Sequence, residues 1–204
     1  MIDPLISLAF SIYSNRGAYA LLLGSGISRA SGIPTGWEIV LDLIRKVATL
    51  EGANCEPDPV EWFKQKYGRD PEYSNLLDAI AKSPTERQQL LRAYFEPTNE
   101  EREQGLKSPS AAHNAIAQLV ATGFVRVIIT TNFDRLLEQA LEEVGVAPAV
   151  LSTTDQVLGA LPLAHSKAVI IKVHGDYLDT RIKNTEAELA WISTEKSSPK
   201  FLGG

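Results

Sequence analysis

Leu21-Leu-Leu-Gly-Ser-Gly-Ile-Ser-Arg-Ala-Ser-Gly-Ile-Pro34 is the stretch on which the reading of this chain turns. An apolar strand runs straight into Gly24-Ser25-Gly26 and then into a short helical turn. Glycine lets the backbone bend sharply, and with no side chain it permits close approach. The freed N–H groups and the helix start behind them then form an anion site, as α/β proteins do for a pyrophosphate. Taken alone, Gly-Ser-Gly is equally an ordinary tight turn between strand and helix. The strand before it and the second Ser31-Gly32 favour nucleotide binding.

Three further segments read as strands: Val125–Thr130, Ala168–Val173 and the shorter Ala149–Ser152. Like Ala18–Leu23 at the glycine turn, the first two are continuous apolar runs, the pattern of parallel strands covered on both faces. Helices fill the intervals. Residues 1–15 read as an amphipathic helix starting near Pro4. Thr35-Gly-Trp-Glu38 is a capping-box pattern ahead of Ile39, Val40, Leu43, Ile44 and Val47. Asp58-Pro59, Ser83-Pro84 and Ser108-Pro109 each set a capping residue before a proline at the first helical position. Asp134 to Val144 is amphipathic and stops at Gly145. The fold class expected is α/β: a Rossmann-like parallel sheet with helices on both faces and a helical insertion at about residues 54–104. The tail, residues 193–204, reads as poorly ordered.

Composition narrows the function. With 204 residues, 44% of them hydrophobic, the chain suits one large domain with a proper core. A net charge of −5 argues against direct nucleic-acid binding. The single cysteine, Cys55, forms neither an internal disulfide nor a cysteine-rich zinc site. No apolar run approaches the roughly 20 residues that span a bilayer, and the first residues lack a basic signal-peptide start. A cytoplasmic protein is the expectation.

Two other segments carry candidate chemistry. Thr130-Thr131-Asn132-Phe133-Asp134 follows a buried strand, where ligands of open α/β sheets bind. Asn132 both donates and accepts, so it suits a water or a carboxamide. Asp134 has two readings, a ligand contact or the cap of the helix behind it. Val173-His174-Gly175-Asp176 follows another apolar strand. His174 has an ordinary pKa of about 6.5, suited to proton transfer; the plainer reading is a histidine bonded to backbone. His113, inside a predicted helix, and His165, in a loop, read as ordinary histidines. Parallel strands end on one edge, so Gly24, Asn132 and His174 are expected around one solvent-facing crevice.

These residues resemble the sirtuin (silent information regulator two) superfamily. Its signature runs Gly-Ala-Gly-Ile-Ser, Ser-Gly-Ile-Pro, Gln-Asn-Ile-Asp and His-Gly, in that order. The matching stretches are Gly24-Ser-Gly-Ile-Ser28, Ser31-Gly-Ile-Pro34, Thr131-Asn-Phe-Asp134 and His174-Gly175. Thr-Thr-Asn-Phe-Asp and His-Gly-Asp are closer to the bacterial sirtuin-like NADase domains of anti-phage defence. The resemblance implies a single sirtuin-like domain over residues 1–204 that binds NAD⁺ as substrate and uses no metal. Gly24, Ser25, Gly26, Ser28, Pro34, Thr131, Asn132, Asp134 and His174 are then the cofactor-binding residues, and Asn132 and His174 the catalytic ones. Hydrolysis releases nicotinamide and ADP-ribose. A non-catalytic NAD⁺- or ADP-ribose-binding module and a zinc-less protein deacylase stay open as alternatives.

The resemblance also implies a partner: an effector or Argonaute-type protein, a C-terminal domain, or a second copy. Two departures from the deacetylases stand out. No cysteine follows His174, and Pro34-Thr-Gly-Trp37 replaces their Pro-Asp-Phe-Arg. The family's next strand, ending in a Gly-x-Ser-type turn for the adenosine ribose, is not apparent before Gly204. The expectation is a piece of a longer protein, or a chain nearly inactive alone.

Overall fold

The structure, a computed structural model, describes residues 3–178. The tail at residues 193–204 and any strand after His174-Gly175 lie outside the described residues. The helices are α1 (Pro4–Ser14), α2 (Gly36–Leu50), α3 (Pro59–Tyr67), α4 (Tyr73–Ile80), α5 (Pro84–Phe95), α6 (Asn99–Glu103), α7 (Ala111–Ala121), α8 (Leu136–Glu143) and α9 (Thr154–Leu158). The strands are β1 (Tyr19–Leu23), β2 (Val125–Thr130), β3 (Ala149–Leu151) and β4 (Val169–Lys172). Among the described residues no helix is long and apolar enough to cross a membrane.

All four strands pair in parallel in the order β1-β2-β4-β3, so the fold is α/β with a Rossmann-like sheet. Among the described residues, those up to Thr35 and those from Leu91 form one compact unit, and Gly36–Leu90 a second. In the first, α7 and α8 pack on each other and supply Ala117, Val120, Leu137, Ala140 and Leu141 to a core cluster. Val125, Ile128 and Ile170 enter it from the sheet. In the second, the apolar stripe of α2 is buried and the helix packs on α3 and α4.

Capping chemistry sets most helix starts. Asp58 accepts the Glu61 N–H ahead of Pro59, and Ser83 and Glu86 cap each other's N–H groups ahead of Pro84. Ser108-Pro109 departs from the expectation. The helix starts at Ala111, and Ser110 and His113 cap each other's N–H groups in a reciprocal box. The imidazole here plays the part that Glu or Gln usually takes, and that moves the start two residues on. The edge strand β1 departs as well. Leu21 and Leu23 pack on the core cluster, whereas Leu22 is 76% exposed. None of the residues of α1 is buried.

Ile170, fully buried between β2 and β3, tests this core. Ile170→Ala is expected to cost about 2–5 kcal/mol through lost burial and the cavity left behind. Urea unfolding measures it; a loss well below about 1 kcal/mol would place Ile170 outside the core.

Candidate functional site

The register Leu23↔Thr130↔Lys172 aligns the ends of three adjacent strands. Pairing continues one step beyond them. Thr131 N–H donates to Leu23 O at 3.1 Å, and Val173 N–H to Thr130 O at 3.0 Å. The turns that begin at Gly24, Thr131 and Val173 therefore leave the sheet side by side at its carboxyl edge.

The first turn has exposed Gly24 and Gly26 and half-buried Ser25. Gly24 has φ −119° and opens a 3₁₀ helix, Ser25–Ser31, which ends on Gly32 at φ +77°. At Gly32 a Cβ would lie 3.2 Å from the Leu106 side chain, so both conformation and space call for glycine. Gly26 is different. Its φ is not in the left-handed region, and a Cβ there would meet nothing within 4 Å. The fold itself makes no demand for glycine at this position.

Behind this turn lies a buried polar group. The Ser28 hydroxyl donates to Asp134 Oδ2 at 2.8 Å. Asn132 Nδ2 donates to Ser28 Oγ at 3.1 Å and to Asp134 Oδ2 at 3.3 Å. The carboxylate fixes the amide, because only the NH₂ end can face it. Asn132 Oδ1 is left buried with no hydrogen-bond partner. Asp134 Oδ1 accepts the Leu136 N–H at 3.1 Å, one residue ahead of Arg135, which is the N-cap of α8 and makes no side-chain cap bond. A small cavity is lined by Leu23, Ile27, His113, Thr130, Asn132, Asp134, Leu137 and Glu138.

One expectation is overturned here. Asn132 does not sit at a solvent-facing position; it is only 8% exposed, and Ser28 is fully buried. Their bonds to Asp134 pull both side chains under the turn. His174, in contrast, is exposed, with its ring centroid 6.1 Å from that of Phe133. Thr131 is half-buried, its Oγ1 3.8 Å from where a Gly24 Cβ would stand. Pro34 is half-buried and takes no part in the hydrogen-bonded group.

Two participants escaped the sequence reading. His113, read as an ordinary helical histidine, is 1% exposed, with Nε2 3.5 Å from Ser28 Oγ. Its Nδ1 accepts the Ser110 N–H at 3.1 Å, so Nε2 carries the proton of the neutral ring. Burial pushes its pKa down, and the charge of Asp134 opposes this in part. The spacing of Ser110 and His113 as a capping pair was the available signal. Lys172, read as one position of an apolar strand, is buried at 2% exposure. Its ammonium donates to Glu138 Oε1 at 3.0 Å and to Asp176 Oδ2 at 2.9 Å. Burial raises the pKa of Glu138, against the pull of Lys172. A single charge in an apolar strand run signals a buried partner.

Comparison with known proteins matches residues 126–202 to the SIR2-like domain family. Over this segment the chain is similar to the SIR2-like, or sirtuin-like, family. The matched segment holds both the Asn132 and the His174 turns, and its likeness to SIR2-like domains points to NAD-related function. The glycine turn lies outside that segment; its pairing with β2 and the Ser28 bonds join it to the matched part. No curated protein matches the chain.

His113 generates a prediction of sign. Its folded pKa lies below the unfolded value of about 6.5, so the unfolded chain binds the extra proton. Its contribution to stability is complete above that value and is lost as pH falls through the lowered one. Between about pH 7.5 and about pH 5.5 the wild type should lose stability more steeply than His113→Gln, as read by urea unfolding. Parallel slopes would show that His113 titrates normally.

Proposed function

We propose that this chain is an NAD⁺ glycohydrolase domain, acting in bacterial anti-phage defence by depleting NAD⁺. The observation that carries the reading is the side-by-side exit of the Gly24, Asn132 and His174 turns from three paired strands. The residues present fit the substrate in two respects. Space stands open at Gly26, where the fold makes no demand for glycine. Asn132 holds a buried acceptor without a partner, the complement of a carboxamide N–H.

In this reading Gly24, Ser25 and Gly26 hold the pyrophosphate with backbone N–H groups. Ser28 and Asp134 hold the Asn132 amide in one orientation, so that its free oxygen addresses the nicotinamide carboxamide. Thr131, on the same turn, faces the glycine loop. His174, exposed at the crevice rim, removes a proton from the attacking water or from a ribose hydroxyl. The bond between nicotinamide and ribose breaks, nicotinamide leaves with the bonding pair, and water adds at the ribose carbon. The chain needs only to orient the leaving group, exclude bulk water and place one nucleophile.

The burial of Asn132 supports a second reading, an NAD⁺- or ADP-ribose-binding module without turnover. Nicotinamide release, followed by chromatography, separates the two. Wild type should release nicotinamide, in this chain or in a longer chain with its partner. Asn132→Ala and His174→Ala should each lose a factor of about 10² to 10⁴ in rate. Asn132→Ala also removes a partner of buried Ser28 and Asp134. It should cost about 1–3 kcal/mol, so its fold is verified by circular dichroism. Full activity in His174→Ala would refute the assigned base.

A separate prediction concerns the loop. Gly26→Val should fold as wild type, because no neighbour stands within 4 Å of the new Cβ. It should nevertheless lose NAD⁺ binding in calorimetric titration, because the valine occupies the space assigned to the phosphates. A folded variant that binds normally would remove the pyrophosphate from this turn.

A further inference from the structure

Lys172 closes β4, two residues before His174. Its neighbours in the strand are Val169, Ile170 and Ile171, and its side chain is 1% exposed. A charge in such a place persists only when it is paired and hydrogen-bonded. Its partners come from three separate elements. Glu138 Oε1 on α8 lies at 3.0 Å, and Asp176 Oδ2, after β4, at 2.9 Å. The carbonyls of Asp134 and Phe133, between β2 and α8, lie at 2.6 and 3.3 Å.

These partners bracket the candidate catalytic residues. Phe133 and Asp134 immediately follow Asn132, and Lys172 and Asp176 stand on either side of His174. The His174 turn is fixed further by Gly175 at φ +92°, whose N–H donates to Lys172 O at 3.2 Å. Tyr177 N–H reaches Phe133 O at 3.3 Å, so the two turns also touch through backbone. Asp176 Oδ1 accepts the Leu178 N–H at 3.0 Å, and Arg135 Nε stands 3.8 Å from Oδ2.

We propose that Lys172 is a positioning residue for NAD⁺ cleavage: its buried ammonium locks the His174 turn to the Asn132 turn. The inference rests on the NAD⁺-cleaving reading above. The ammonium, wholly occupied and buried, acts on the spacing of the two turns rather than on the ligand. Loosening the lock therefore lowers kcat and leaves KM alone.

Lys172→Met strands two buried carboxylates and is expected to unfold. Asp176→Asn is the deciding variant, since it keeps the shape and removes the charge that ties Lys172 to the His174 turn. Nicotinamide release is measured per folded protein, with the folded fraction taken from circular dichroism. A shift of about 1 Å costs on the order of 100-fold, so kcat should fall by about 10- to 100-fold with KM for NAD⁺ within about twofold of wild type. In carbon-edited NMR, the His174 ring signals should move away from their wild-type positions, because the ring's packing on Phe133 changes. Unchanged kcat, or a raised KM with unchanged kcat, overturns the proposal. If wild type releases no nicotinamide, in this chain or in a longer chain with its partner, the cleavage reading falls first. The NMR measurement then still decides on the lock: unmoved His174 signals defeat it, and moved ones support it.

Discussion

Two backbone hydrogen bonds, Thr131 N–H to Leu23 O and Val173 N–H to Thr130 O, carry the sheet one step past its strands. Everything proposed for the site depends on that extension. Parallel strands bring their carboxyl ends to a common edge, but only pairing in register sets the turns abreast. Neighbouring strands lie about 4.8 Å apart, so three adjacent turns can reach a single small molecule. β2 stands in the middle, and its turn supplies Asn132, between the glycine turn of β1 and the histidine turn of β4.

Beneath that edge the protein buries polar groups that a core normally avoids. Ser28, Asn132, Asp134 and His113 form one hydrogen-bonded group, and Lys172, Glu138 and Asp176 another. The carboxylate of Asp134 orients the first, and the ammonium of Lys172 holds the second. Asp134 belongs to both, through its side chain in one and its carbonyl in the other. An acceptor left unpaired in such surroundings costs about 1–3 kcal/mol, and Asn132 Oδ1 is one. A partner arriving with a ligand offsets that cost, which links the stability of the turn to its occupancy.

The sheet was legible in the sequence because long apolar runs such as Val125–Thr130 and Ala168–Val173 have few other uses. The capped starts at Asp58-Pro59 and Ser83-Pro84 were legible for the same local reason. Ser108-Pro109 misled, because the cap lay at Ser110 with a histidine in the reciprocal place. The depth of Asn132 could not be read from its position after a strand. It follows from bonds to Ser28, 104 residues away, and to Asp134. Lys172 and His113 were hidden similarly, since their partners lie on other elements. What local spacing encodes was readable, and what distant polar pairing decides was not.

The central claim is that one ligand sits across the three turns. A crystal structure with NAD⁺ or ADP-ribose bound tests it most directly. The account predicts the pyrophosphate on the backbone of Gly24–Gly26, and the nicotinamide side of the ligand between Asn132 Oδ1 and His174. A ligand bound away from the carboxyl edge of the sheet, or one that leaves the Gly24 turn empty, would contradict it.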